Sequence, residues 1–379
     1  MRIAWIDTIR VLAAFLVILS HFAYKAVEIP SVQNFISNYV LFIGQFGNMI
    51  FFAVSGYLAA NSIAHSQSIK EFYRRKIIRI TVPYTFAYII LCIVLLFLGI
   101  FEPKLISPLK FAVDSGSYSG FAGLFLGMTP IASDANLIKF FHIPIIHLVG
   151  EWFIGAVIYL YLLSHLLFRL INRNVILTFI SSTIIAWLIY SFSPAWREAG
   201  YIFEGLFLFP IWIPSFLIGM IIFLYQDFFL NNMKKLTLIT ALLLTGLIFY
   251  GGYFNVENQS IWAKLIFGSP SNFWQYLFAN IVTVSFVYIV SIFLNEKFDK
   301  AMSKFNRLSN ISYVAMLIQS AVIAPFFILF DCSAFDKFEV MIFFVSIVLS
   351  VIFISEIIRK IYKPIEEKLI RKEAISLGG

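Results

Sequence analysis

Charged side chains are scarce in this chain: Lys, Arg, Asp and Glu make up 13% of its 379 residues, where a water-soluble domain carries about a quarter. Cysteine is scarcer still. Cys92 and Cys332 are the only two, too few for a disulfide framework or a thiolate metal cluster, and both read as packing residues. No group of His, Cys and acidic residues has ligand spacing, so neither a metal nor redox chemistry is expected. There is no linker rich in Ser or Gly, no soluble domain at either end and no convincing internal repeat. The net charge of +8 is spread in short clusters between long apolar runs, which argues against a nucleic-acid partner.

What is present in excess is apolar surface. Hydrophobic residues make up 61% of the chain, and the mean hydropathy is +0.90. A larger buried core cannot absorb that excess, because a domain in water still needs a polar skin. Lipid must therefore be the solvent for much of the surface, and 44 Phe and 18 Tyr fit the same reading. A bilayer core needs roughly 20 apolar residues of helix. Measured with that ruler, the sequence predicts an all-α polytopic membrane helix bundle, a single integral membrane domain over residues 1–379. About ten transmembrane helices are expected, near 9–27, 39–60, 79–101, 148–170, 175–193, 206–225, 236–253, 275–294, 310–330 and 340–361. The first run is not read as a signal peptide: no small-x-small cleavage site follows it, and it carries a histidine.

The distribution of basic residues tests that layout independently. With ten spans and the N-terminus inside, seven of the 28 Lys and Arg fall outside: Lys25, Lys104, Lys110, Lys139, Arg197, Lys264 and Lys337. The other 21 fall inside, as the positive-inside rule predicts, so both termini are expected in the cytoplasm and the protein in the inner (cytoplasmic) membrane as a multi-pass chain. The charged tail from Arg359 to Lys372, with Pro364, is expected to form a juxtamembrane helix. Residues 102–147 resist the scheme, because their apolar pieces are too short to span. A re-entrant element over a cavity or an outer loop with a surface helix would both fit.

An ionisable residue inside a span is a functional candidate. Arg10 and His21 are eleven residues apart, which puts them within ~20° of one another on a helix, separated by ~16 Å of rise. Two polar groups on one stripe at two depths suit a long ligand lying along the helix. A snorkelling Arg and a His bonded within the bundle is the plainer alternative. Ser55-Gly56 near the end of the second helix permits close approach of a backbone or a ligand. Arg75 and Arg79 share a face entering the third helix, where they could bind phosphates or simply set topology. His147 and Glu151 form an i, i+4 pair near the outer leaflet. Glu151 could orient an imidazole or bind a hydroxyl, or serve as a helix-start acid.

Together these pieces resemble the acyltransferase 3 family of integral membrane acyltransferases, many of which O-acetylate bacterial surface glycans. Asp7, Arg10 and His21 match the family's opening signature. Phe51-Phe52 with Ser55-Gly56-Tyr57, then Arg75, Arg79, Pro83 and Tyr84, then Trp152-Phe153 follow in the family's order. Phe216-Leu217-Ile218-Gly219 and Leu308-Ser309-Asn310-Ile311-Ser312-Tyr313 are looser matches, and Gln319 stands where many members have a histidine. The resemblance implies acetyl-CoA as acyl donor, with Arg10, Arg75, Arg79 and Ser55 binding it. It implies a hydroxyl of a glycan or lipid-linked saccharide as acceptor, with Asp7, Trp152 and His147 on that side. His21, Arg10 and Glu151 are then the catalytic candidates. His21 would act as general base, an imidazole pKa near ~6.5 suiting that task, and an acyl-histidine intermediate is the mechanistic rival. The alternative from a different class is a transporter or flippase with Arg10 and His21 on an ion or lipid path.

Overall fold

A computed structural model describes residues 4–41, 43–66, 68–106, 149, 151–198, 209–232, 235–243, 245 and 273–376. Among them the chain is almost wholly helical, without a strand. The helices are α1 (Ala4–Ala26), α2 (Gln33–Tyr39), α3 (Gly44–His65), α4 (Ile69–Phe101), α5 (Glu151–Arg173) and α6 (Val175–Glu198), then α7 (Ile213–Leu224), α8 (Gln226–Asn231), α9 (Phe273–Lys297), α10 (Asp299–Phe305), α11 (Ser309–Leu329) and α12 (Lys337–Ser376). Eight helical segments among the described residues are long and apolar enough to cross a membrane.

Local chemistry sets the ends of several helices. Ser68 caps α4 by accepting the Glu71 amide at 3.1 Å, a Ser-x-x-Glu start. Asn174 accepts the Leu177 amide at 2.9 Å and turns α5 into α6. α12 opens with a reciprocal box. Asp336 Oδ1 accepts the amides of Phe338 and Glu339, each at 2.8 Å, while Glu339 Oε2 accepts the Asp336 amide at 2.8 Å.

α1 is the centre of the bundle, packed by α3, α9 and α11, and α3 in turn packs on α5 and α7. α4, α11 and α12 pack on one another. The closest crossing joins α3 and α7. A Cβ on Gly56 would fall inside the Phe216 carbonyl, and one on Gly219 inside that of Ala53. Here two backbones touch, which in lipid replaces the hydrophobic drive that holds helices together in water. Side chains such as Ile93, Leu96 and Phe97 on α4, or Ile342, Leu349 and Phe353 on α12, are exposed and face lipid.

One expected span looks different. The run at 206–225 is a 3-10 turn, Phe209–Trp212, followed by the twelve-residue α7. At ~18 Å that helix is too short to cross a bilayer alone. Pro210 and Pro214 explain the short start, since neither has an amide hydrogen to give. Half of the run at 236–253 falls outside the described residues, as do all of residues 107–148.

Candidate active site

Polar contacts at the start of α1 fix its rotation and depth. Ser309 Oγ donates to Asp7 Oδ1 at 2.7 Å, and Thr8 Oγ1 bonds Asn306 Oδ1 at 2.8 Å. Asn295 Nδ2 donates to Thr8 Oγ1 at 2.7 Å, and Asn306 Nδ2 to Asn295 Oδ1 at 2.9 Å. These buried groups satisfy one another, as buried polar atoms must, and tie α1 to α9 and α11. Asp7 is one of these ties and, among the described residues, lines neither cavity described below.

Arg10 then faces a cavity of about 360 Å³ at the end of the bundle where α1 begins. α3 contributes Ser55 and Leu58, α4 contributes Lys76, Arg79 and Pro83, and α5 contributes Phe153 and Tyr161. α11 adds Asn310 and Tyr313, whose hydroxyl donates to the Ile80 carbonyl at 3.2 Å. The last wall is α12, with Arg359, Tyr362, Lys363 and Glu366. Five cationic side chains thus meet one carboxylate among the described lining residues.

Those cations are not equivalent. Arg359 is paired with Glu356 at 2.7 Å and Lys363 with Glu366 at 2.8 Å, both pairs within α12. Lys76 is only 8% exposed. Its Nζ donates to the Leu58 carbonyl at 3.1 Å and lies 4.8 Å over the Tyr161 ring and 5.6 Å over that of Phe72. Neither Lys76 nor Arg79 has a carboxylate partner among the described residues. A buried ammonium without a counter-ion is costly. A cavity that holds one beside two guanidinium groups is suited to an anion with several negative oxygens.

His21 lines a second cavity, of about 460 Å³, toward the opposite end of α1, α4 and α11. α1 supplies His21, Tyr24 and Lys25, and α4 supplies Leu95, with Leu105 beyond it. α11 supplies Ser320, Ile323, Ala324, Pro325 and Ile328. His21 Nδ1 and Ser320 Oγ are hydrogen-bonded at 3.2 Å. Ser320 follows Gln319, which is 2% exposed and whose Oε1 has no hydrogen-bond partner among the described residues.

The structure therefore brings Arg10, Ser55 and Arg79 together and sets His21 apart, along the axis of α1. Arg75 stands outside the basic cavity. Its guanidinium is paired with Glu71 at 2.5 Å and is 42% exposed. Arg75 and Arg79 do share a face by spacing, but so do Lys76 and Arg79. The buried side of α4, carrying Phe72, Ile80 and Pro83, is the side of Lys76. That apolar stripe was the readable signal for Lys76. Glu151 and Trp152 lie in the first turn of α5, with side chains outside the described residues, and His147 lies outside them altogether. Sequence reasoning also missed Tyr161, Ser320 and the α12 wall.

A sequence model described as an acyltransferase domain, that of the acyltransferase 3 family, matches residues 3–359. No curated protein and no solved structure matches the chain. The match covers most of the chain, including Arg10, Lys76, Arg79 and His21, and ends at Arg359 within α12, so the chain belongs to the acyltransferase 3 family and is a membrane acyltransferase.

Proposed function

We propose that the protein moves an acetyl group from cytoplasmic acetyl-CoA to a hydroxyl of a cell-surface polysaccharide or lipid-linked sugar, with His21 as general base. The observation that carries this reading is the pair Lys76 and Arg79, held without carboxylate partners in a cavity beside Arg10. The donor's phosphates supply the missing negative charge there, and Arg359 and Lys363 close over them from α12. The end of the bundle that holds this cavity faces the cytoplasm, which agrees with the bias of basic residues toward that side, and the membrane is the inner one. Glu151, Trp152 and His147 belong to the acceptor's approach from the other side.

From the basic cavity the thioester runs along α1 toward His21. With Nδ1–H donating to Ser320 Oγ, Nε2 keeps its lone pair for the acceptor hydroxyl. His21 takes that proton as the oxygen bonds to the thioester carbonyl carbon. The carbon–sulfur bond then breaks, and the leaving thiolate takes the proton from His21. General-base help of this kind contributes about 10²- to 10⁴-fold.

The test is thiol release from acetyl-CoA by the purified chain in nanodiscs, with envelope glycans as acceptor and His21→Ala in parallel. Release that needs both acceptor and His21 is the expected result. Full release by a folded His21→Ala protein would remove the general base. Neither release nor acetyl-CoA binding would leave Arg10 and His21 as candidates for an ion or lipid path.

A further inference from the structure

The two cavities differ in what their described walls can satisfy, and the described wall of the His21 cavity is poorly built for a sugar ring. A glycan carries a hydroxyl on most of its carbons, and each one taken out of water needs a partner. Among the described residues the deep polar groups are His21 and Ser320, and they are bonded to each other. Tyr24, 46% exposed, and Lys25 stand at the mouth, near the end of α1. The rest of the described wall is hydrocarbon: Leu95 from α4, and Ile323, Ala324, Pro325 and Ile328 from α11. Space is not the limit. At about 460 Å³ the cavity holds on the order of ten or more groups the size of a water, each taking ~30 Å³. An acetyl group and one hydroxyl fill a small part of that.

We infer that the acceptor is an amphiphile, a hydroxyl-bearing head on an alkyl or prenyl chain, and that the chain lies in the His21 cavity while the head meets His21 and Lys25. This rests on the acyltransferase reading of His21 given above, and it selects the lipid-linked acceptor over the free polysaccharide. The chain belongs to the acceptor and not to the donor. The cavity sits at the far end of α1 from Arg10, Lys76 and Arg79, and only the acyl carbon of the donor has to arrive there. The acceptor oxygen forms the ester bond, the thioester carbon–sulfur bond breaks, and the hydroxyl proton passes through His21 to the thiolate, so the transfer balances without a further reactant.

The full chain in nanodiscs, with acetyl-CoA and a series from methyl to octyl glucoside below micellar concentration, tests this. Thiol release per acceptor is expected to rise at least about tenfold from methyl to octyl, because burial of apolar surface adds with every methylene. Partition into the bilayer also favours the longer chain, so Ala324→Phe is the control. It narrows the cavity without changing partition and should bring the octyl-to-methyl ratio down several-fold. Ile328→Ser, at a half-exposed position, serves if the first variant does not fold. In the absence of donor, a photoactivatable octyl glucoside with a diazirine in its chain should label residues 320–328.

An octyl-to-methyl ratio untouched by both variants, or label found only elsewhere, would overturn the inference. So would a free oligosaccharide used as well as octyl glucoside. A gain on lengthening the donor's acyl chain instead would assign the cavity to the donor and also overturn it. Label at residues 320–328 without any thiol release would keep the amphiphile site and sink the acyl-transfer role of His21. Release with a free glycan and no label there would do the reverse.

Discussion

Helices α1, α4 and α11 each carry a residue of the basic cavity toward one end and a residue of the apolar cavity toward the other: Arg10 and His21, Arg79 and Leu95, Tyr313 and Ser320. The same three rods thus build two unlike environments. At one end cations gather in excess, and α12 adds two more beside a single carboxylate. At the other, one imidazole and one hydroxyl pair off against a mostly hydrocarbon wall, with Tyr24 and Lys25 at its mouth. On the function proposed above, affinity for a charged donor and reactivity toward an acceptor are placed on separate stretches of one helix, so that changes to one need not disturb the other.

The largest expected effect cuts at the reactive end. His21→Ala should lower transfer by about 10²- to 10⁴-fold while acetyl-CoA affinity, measured by equilibrium binding in nanodiscs, stays within twofold. Loss of both would mean that the two ends act as one site. Lys76→Met keeps the length of the side chain and removes its charge. If its charge-assisted contact with the donor is worth about 1.5–3 kcal/mol, donor affinity drops by about 10- to 100-fold, with the rate at saturating donor little changed. Gly219→Ala should hit both ends together, because it pushes α7 off α3. Overpacking of this kind costs roughly 1–3 kcal/mol, and a thermal-unfolding midpoint that did not fall would show that the crossing yields easily.

A smaller loss should follow Ser320→Ala, roughly two- to tenfold in rate from one orienting hydrogen bond, with the donor KM unmoved. A purely structural role for Ser320 would instead lower stability with no change in rate per folded molecule. Arg75→Ala should do least, under about twofold in donor affinity, since its exposed pair with Glu71 is of the kind worth little. An effect as large as that of Lys76→Met would place Arg75 in the donor site after all.

The contrast between Lys76 and Arg75 also shows where the sequence stopped being legible. Long apolar runs announced the bundle because lipid demands them. The Arg10–His21 stripe could be read because eleven residues close almost on three full turns. Ser55-Gly56 marked a close approach, and the structure sets Gly56 against Phe216 and Gly219 against Ala53. Arg74, Arg75 and Lys76, by contrast, point in three directions about 100° apart, and charge alone does not say which one faces inward. Arg359, Tyr362, Lys363 and Glu366 are remote from Arg10 in the chain, and their meeting depends on how α12 lies against α4 and α11. No periodicity records that. Ser320 was invisible for the same reason, since its importance comes from facing α1.

α12 has one more property. It is unbroken from Lys337 to Ser376, and one buried seam runs along it through Phe343, Ile347, Val351, Ile358 and Tyr362 to Glu366. The part among the spans and the part that walls the basic cavity are therefore geared together. One residue inserted between them would swing the wall by ~100° and turn its cations away from Arg10. Seven would bring it back to within ~20° but carry it ~10 Å along the axis. The basic cavity thus depends on the torsional register of a helix that begins at the opposite end of the bundle, so a twist applied at one end is delivered as a change of charge geometry at the other.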